Sequence, residues 1–140
     1  MNKIDNYEIE SILYDLSKKY IFPMFKNLSD KDIMKKDNNN FVTSVDIKIE
    51  NELNIILSKL ISNSLIVGEE NYSKSPKIFD YYNSDNYCWT IDPIDGTNNF
   101  IKGKEKFAIM LALSLKKNIL QSWIYKPLSG DIYYAFKNEG

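Results

Sequence analysis

Apolar positions recur every three or four residues in the first part of the chain, then close up into short unbroken runs. Ile9, Ile12, Leu13, Leu16 and Tyr20 fall on one helical face. Asp5 and Glu8 precede them with the spacing of a capping box, and Pro23 limits the helix. Lys35–Asn40 is polar throughout and predicts a loop or hairpin tip. A second helix is expected from Thr43, paired with Asp46 as a cap. Its stripe is Ile49, Leu53, Ile56, Leu57 and Leu60, and Ser62-Asn63-Ser64 ends it.

The later pattern is that of strands. Leu65–Gly68 is short, apolar and bounded, as a buried strand would be. Asn71–Asn86 reads as a long connection packed down by Tyr72, Tyr81 and Tyr82. Tyr87–Ile91 is the next strand, ending at an acidic turn, and Asn98–Lys104 a helical turn or loop. Phe107–Leu115 reads as a strand buried on both faces. Ile119–Tyr125 and Ile132–Phe136 complete a meander across turns at Lys116-Lys117-Asn118 and Pro127–Gly130. The expected fold is α+β: two N-terminal helices packed on a mostly antiparallel sheet.

Composition narrows the chemistry. The 140 residues include 44% apolar ones, enough for one domain with a core. The net charge of −1 argues against a broad nucleic-acid or membrane-surface footprint. All 18 basic residues are lysines, so guanidinium clamps on phosphate are absent. With no histidine and one cysteine, histidine bases, serine–histidine triads, an intrachain disulfide and cysteine-rich zinc sites are excluded. Cys88 reads as a buried, inert thiol. The longest apolar run, Phe107–Leu113, is too short to cross a bilayer, and Met1–Asp5 opens no signal-peptide core, so the expected location is cytoplasmic.

What remains is a carboxylate chemistry. Asp92 and Asp95 flank a proline-stiffened turn, with the Ile94 carbonyl between them. Gly96-Thr97 follow with free amides and a hydroxyl. Glu69-Glu70 end the preceding strand; if the two strands are neighbours, three carboxylates meet at one sheet edge. Such a cluster is costly without a cation, and all-oxygen donors suit magnesium. Each piece also has a plain structural reading. Asp-Pro-x-Asp-Gly makes turns, a Glu-Glu pair solvates an edge, Asp46 caps a helix and Glu50 faces solvent. Their co-occurrence in order makes the case for a site.

That order resembles the inositol monophosphatase family of magnesium-dependent, lithium-sensitive phosphatases. Val42–Glu50 is similar to its VTxxDxxxE helix start, Val67–Glu70 to its GEE strand end, and Trp89–Phe100 to its WxxDPIDGTxNF motif. The resemblance implies a layered α/β sugar-phosphatase fold, a magnesium cofactor and a small phosphorylated substrate. It implies that Glu69, Asp92 and the Ile94 carbonyl hold a first metal, that Asp92 and Asp95 contribute to a second, and that Glu70 helps hold a weaker one. Thr97, oriented by Asp46, would position the attacking water, and the Gly96 and Thr97 amides would hold phosphate oxygens. The catalytic set is then Asp46, Thr97 and Glu69.

The family chain is nearly twice as long and continues with a Trp-Asp motif; here Trp89 and Trp123 are followed by Thr90 and Ile124. The expectation is therefore that residues 1–140 correspond to the N-terminal, metal-binding portion of such a protein, with the C-terminal domain absent. The expectation is weak activity alone and exposed apolar surface. Asp95–Phe100 is nearest the inositol-type spelling, with a 3′(2′),5′-bisphosphate nucleotidase or histidinol-phosphatase activity as the alternative. A non-catalytic scaffold used for assembly is the reading from another class. Family members often pair, so a homodimer is a further expectation.

Overall fold

The computed structural model describes residues 3–139; Met1, Asn2 and Gly140, parts of the chain ends read above, lie outside the described residues. The first helix, α1 (Asn6–Leu16), starts where the Asp5 carboxylate accepts the Tyr7 amide at 3.0 Å. Among the described residues Glu8 returns no bond to Asp5, so the cap is one-sided. The helical path does not stop short of Pro23. It widens into a π turn (Ser17–Ile21) and continues as α2 (Phe22–Met24), which contains Pro23 and ends one residue after it.

Strands β1 (Ile33–Lys35) and β2 (Phe41–Thr43) form an antiparallel hairpin, and the expected polar stretch is its tip. The Asp37 carboxylate folds that tip by accepting the Asn39 and Asn40 amides. Helix α3 (Ser44–Leu60) follows with the expected capping box: Asp46 accepts the Thr43 amide at 2.8 Å, and the Thr43 side chain accepts the Asp46 amide.

The main sheet has the order β3 (Leu65–Gly68), β4 (Tyr87–Asp95), β5 (Ala108–Leu115), β6 (Asn118–Lys126), β7 (Asp131–Phe136). β3 runs parallel to β4 and every other pairing is antiparallel. Ile9, Leu13 and Leu16 of α1 and Val45, Ile49, Leu53 and Leu57 of α3 share one core with Trp89, Leu111, Leu113 and Trp123 of the sheet. The fold is α+β, as the pattern predicts.

Three expectations are corrected. The long connection over residues 71–86 is more structured than expected: it holds the end of α4 (Glu69–Lys74) and a 3-10 helix (Pro76–Asn83). Tyr82 ties that segment down through its hydroxyl, 2.7 Å from Thr90 Oγ1, while Tyr72 and Tyr81 stay 43% and 38% exposed. β5 is covered unequally: Ile109, Leu111 and Leu113 are buried on one face, while on the other Ala108 and Ser114 are buried and Met110 and Ala112 only half-buried. β4 does not end at Ile91. It stays extended to Asp95, because a bulge between Asp92 and Asp95 lets the sheet skip Pro93, which has no N–H to offer.

Candidate active site

The parallel pairing of β3 with β4 sets Gly68 opposite Ile91, so Glu69 and Asp92 leave neighbouring strands side by side. The bulge then re-aims the chain from Asp92 to Asp95. Gly96 turns it with φ 92° and ψ 36°, a left-handed conformation; a Cβ there would sit 2.8 Å from the Lys106 carbonyl oxygen. Helix α5 (Thr97–Ile101) starts immediately after, held by the buried Phe100 against Phe25 and Phe107.

These elements surround a cavity of ≈ 530 Å³ whose walls include Lys36, Glu69, Asp92, Ile94, Asp95 and Thr97. The Thr97 hydroxyl lies 3.1 Å from Asp46 Oδ1 and 3.0 Å from the Ile94 carbonyl oxygen, and donates to one of these acceptors at a time. Gly96 lines the same cavity. Glu70 lies to one side, only 5% exposed, and pairs with Lys36 at 2.8 Å.

Two residues of the surroundings escape the sequence reading. Lys36, at the hairpin tip, reaches both Glu70 and Glu69, the latter at 3.3 Å. No periodicity marks a lysine in a polar loop as part of a site. Glu50 is the second, and its expected exposure is wrong. It is 1% exposed, and its carboxylate accepts the amides of Glu70 at 2.8 Å and Asn71 at 2.9 Å. A signal for this existed: Glu50 stands between Ile49 and Leu53 on the buried stripe of α3.

The electrostatics follow from burial of like charges. Burial, with Glu69 and Asp95 adding, pushes Asp92 up to about 8. Burial pushes Glu70 up to about 7 against the opposing pull of Lys36. Asp46 and Glu50 are raised by burial, while their hydrogen bonds pull the other way. Asp92 Oδ1 is buried with no hydrogen-bond partner. An orphaned oxygen on a carboxylate crowded by Glu69 and Asp95 fits a hard cation, and the remaining donors (carboxylates and a carbonyl) are those magnesium prefers. As they stand, no three acidic side chains among the described residues are gathered closely enough to hold a metal ion. Lys36 draws Glu69 and Glu70 toward its own ammonium.

The model of the inositol monophosphatase family matches residues 5–140. The chain belongs to that family. It is 32% identical to the inositol monophosphatase of Dictyostelium discoideum over 114 residues, which are 81% of this chain and 40% of that protein. It is 30% identical to the Nus factor SuhB of Pasteurella multocida over 105 residues, 75% of this chain and 37% of that protein. In structure it is similar to a Thermotoga maritima IMPase, with a TM-score of 0.79 at 22% identity, covering 98% of this chain and 50% of that one. This member of the inositol monophosphatase family thus spans about half the length, or less, of the proteins it matches. Among its described residues no helix is long and apolar enough to cross a membrane.

Proposed function

We propose that this chain carries the metal-binding part of a magnesium-dependent phosphate monoester hydrolase acting on inositol monophosphate or a related small polyol phosphate. The single observation that supports this most is the unpartnered, buried Asp92 Oδ1, set beside Glu69 in an oxygen-lined cavity. Glu69, Asp92 and the Ile94 carbonyl are the assigned ligands of a first magnesium, Asp92 and Asp95 contribute to a second, and Glu70 supports a weaker one. Bound there, magnesium would neutralise charge on the phosphoryl oxygens and acidify a water.

The chain's own groups supply position. Asp46 holds the Thr97 hydroxyl, whose lone pairs then accept from the attacking water and orient it toward phosphorus. Amides of Gly96 and Thr97 offer donors to the phosphate oxygens. The proposed location is cytoplasmic, and a homodimer is the proposed assembly.

The test, made on a chain extended to the length of its relatives, is magnesium-dependent release of phosphate from inositol 1-phosphate, with 3′-phosphoadenosine 5′-phosphate as the competing substrate class. Release that survives Asp92→Asn, or that ignores magnesium, overturns the assignment. A second reading rests on the relatives named Nus factor SuhB, at similar identity. In it the same scaffold serves assembly rather than turnover, and magnesium binding without phosphate release would favour it.

A further inference from the structure

We propose that Glu50 is a positioning residue that fixes the first turn of α4, and through it the carboxylates of Glu69 and Glu70, against the Asp92 strand. This rests on the metal-binding reading above and extends it to a residue that touches no substrate or ion. Glu50 is buried, and both of its oxygens are used: Oε2 accepts the Glu70 amide at 2.8 Å and Oε1 the Asn71 amide at 2.9 Å. These are among the N–H groups that the start of a helix leaves without an internal partner.

The space for the carboxylate exists because residue 68 has no side chain. A Cβ on Gly68 would overlap Glu50 Cδ and Oε1 and come within 2.8 Å of Oε2. Gly68 has φ −98° and ψ 149°, ordinary extended backbone, so the glycine is required by space and not by conformation.

The same helix also carries Asp46, one turn earlier, whose other oxygen holds Thr97. Helix α3 therefore grips the cavity at two points. Asp46 fixes the hydroxyl that follows β4, and Glu50 fixes the turn that follows β3. A rigid helix between them sets the separation of the two strand ends. Groups that hold metal ligands in place commonly alter metal affinity by about 10- to 100-fold when removed.

The experiment compares the wild-type chain with Glu50→Gln, which keeps the volume but turns one acceptor into a donor, and with Leu57→Ala, a core change that lowers stability elsewhere on α3. Magnesium and manganese binding are measured by calorimetry, and amide exchange is followed by mass spectrometry. The expected result is roughly tenfold weaker metal binding in Glu50→Gln. Exchange should be faster at residues 69–74, and Leu57→Ala should bind metal as the wild type does. Unchanged affinity in Glu50→Gln, or an equal loss in Leu57→Ala, overturns the positioning role. If the wild type binds neither ion, the metal reading fails on its own. Exchange at residues 69–74 then decides the rest: faster exchange retains Glu50 as the fixing group, and unchanged exchange removes it.

Discussion

Replacing Gly68 by alanine is expected to destabilise the chain through Glu50, whose carboxylate atoms are the nearest to the new methyl. Elsewhere in extended backbone, Gly→Ala stabilises by about 0.4–1 kcal/mol, because the unfolded chain loses freedom. Here the new methyl occupies the volume of the Glu50 carboxylate. That carboxylate cannot swing aside freely, since it is 1% exposed and holds two amides. Displacing it weakens two hydrogen bonds to a charged acceptor, each contributing roughly 1.5–3 kcal/mol, with partial recovery by relaxation. After the backbone gain is subtracted, Gly68→Ala should cost about 2–3 kcal/mol, or roughly 6–12 °C in Tm for a domain of this size. The assay is a double-mutant cycle in urea with Glu50→Ala as the second change. With the carboxylate gone, Gly68→Ala should cost nothing or stabilise slightly, giving a coupling of about 2–4 kcal/mol. An equal cost in both backgrounds would refute the reasoning, because the clash would then lie with some other group.

Asp92→Asn should raise stability in metal-free buffer near pH 7 by about 1–2 kcal/mol, since burial beside other carboxylates makes the folded state hold Asp92 protonated while the unfolded chain ionises it. The wild type should gain about 2.7 kcal/mol at a magnesium concentration one hundred times its Kd, and the variant should gain little; equal gains by thermal denaturation would contradict the ligand role. Cys88 is 1% exposed, and burial pushes its thiol from 9.0 up to about 11. Because the folded state favours the protonated thiol, this stability is complete below pH 9 and is lost as the pH rises toward 11. Between pH 8 and 10.5 the wild type should lose about 2 kcal/mol more than Cys88→Ala in urea unfolding, and parallel losses would argue against it.

Much of this molecule is legible from spacing. The stripes on α1 and α3 are long and regular, so helical burial follows directly, and Ile9, Leu13, Leu53 and Leu57 are all fully covered. The adjacency of Glu69 and Asp92 required only that two strands be neighbours, and the short apolar run before each made that pairing the natural one. What escaped depends on tertiary partners. Glu50 is charged, and its burial is stable only because Gly68 leaves a hole and α4 offers two amides, neither visible from position 50 alone. Lys36 joins the site because a hairpin aims it there. β4 runs past Pro93 because the bulge removes the need for an N–H. The 3-10 helix at Pro76–Asn83 is anchored to β4 by the Tyr82–Thr90 hydrogen bond. These are contacts between residues rather than a period along the chain.

The central claim is that Glu69, Asp92 and the Ile94 carbonyl are ligands of one divalent cation. Crystals of the chain grown with manganese, measured at the manganese absorption edge, test it most directly. An anomalous peak bonded to those three oxygens, and absent from Asp92→Asn crystals, is the predicted result. A map with no peak in this cavity at saturating manganese, or with the ion bound elsewhere, would contradict the account.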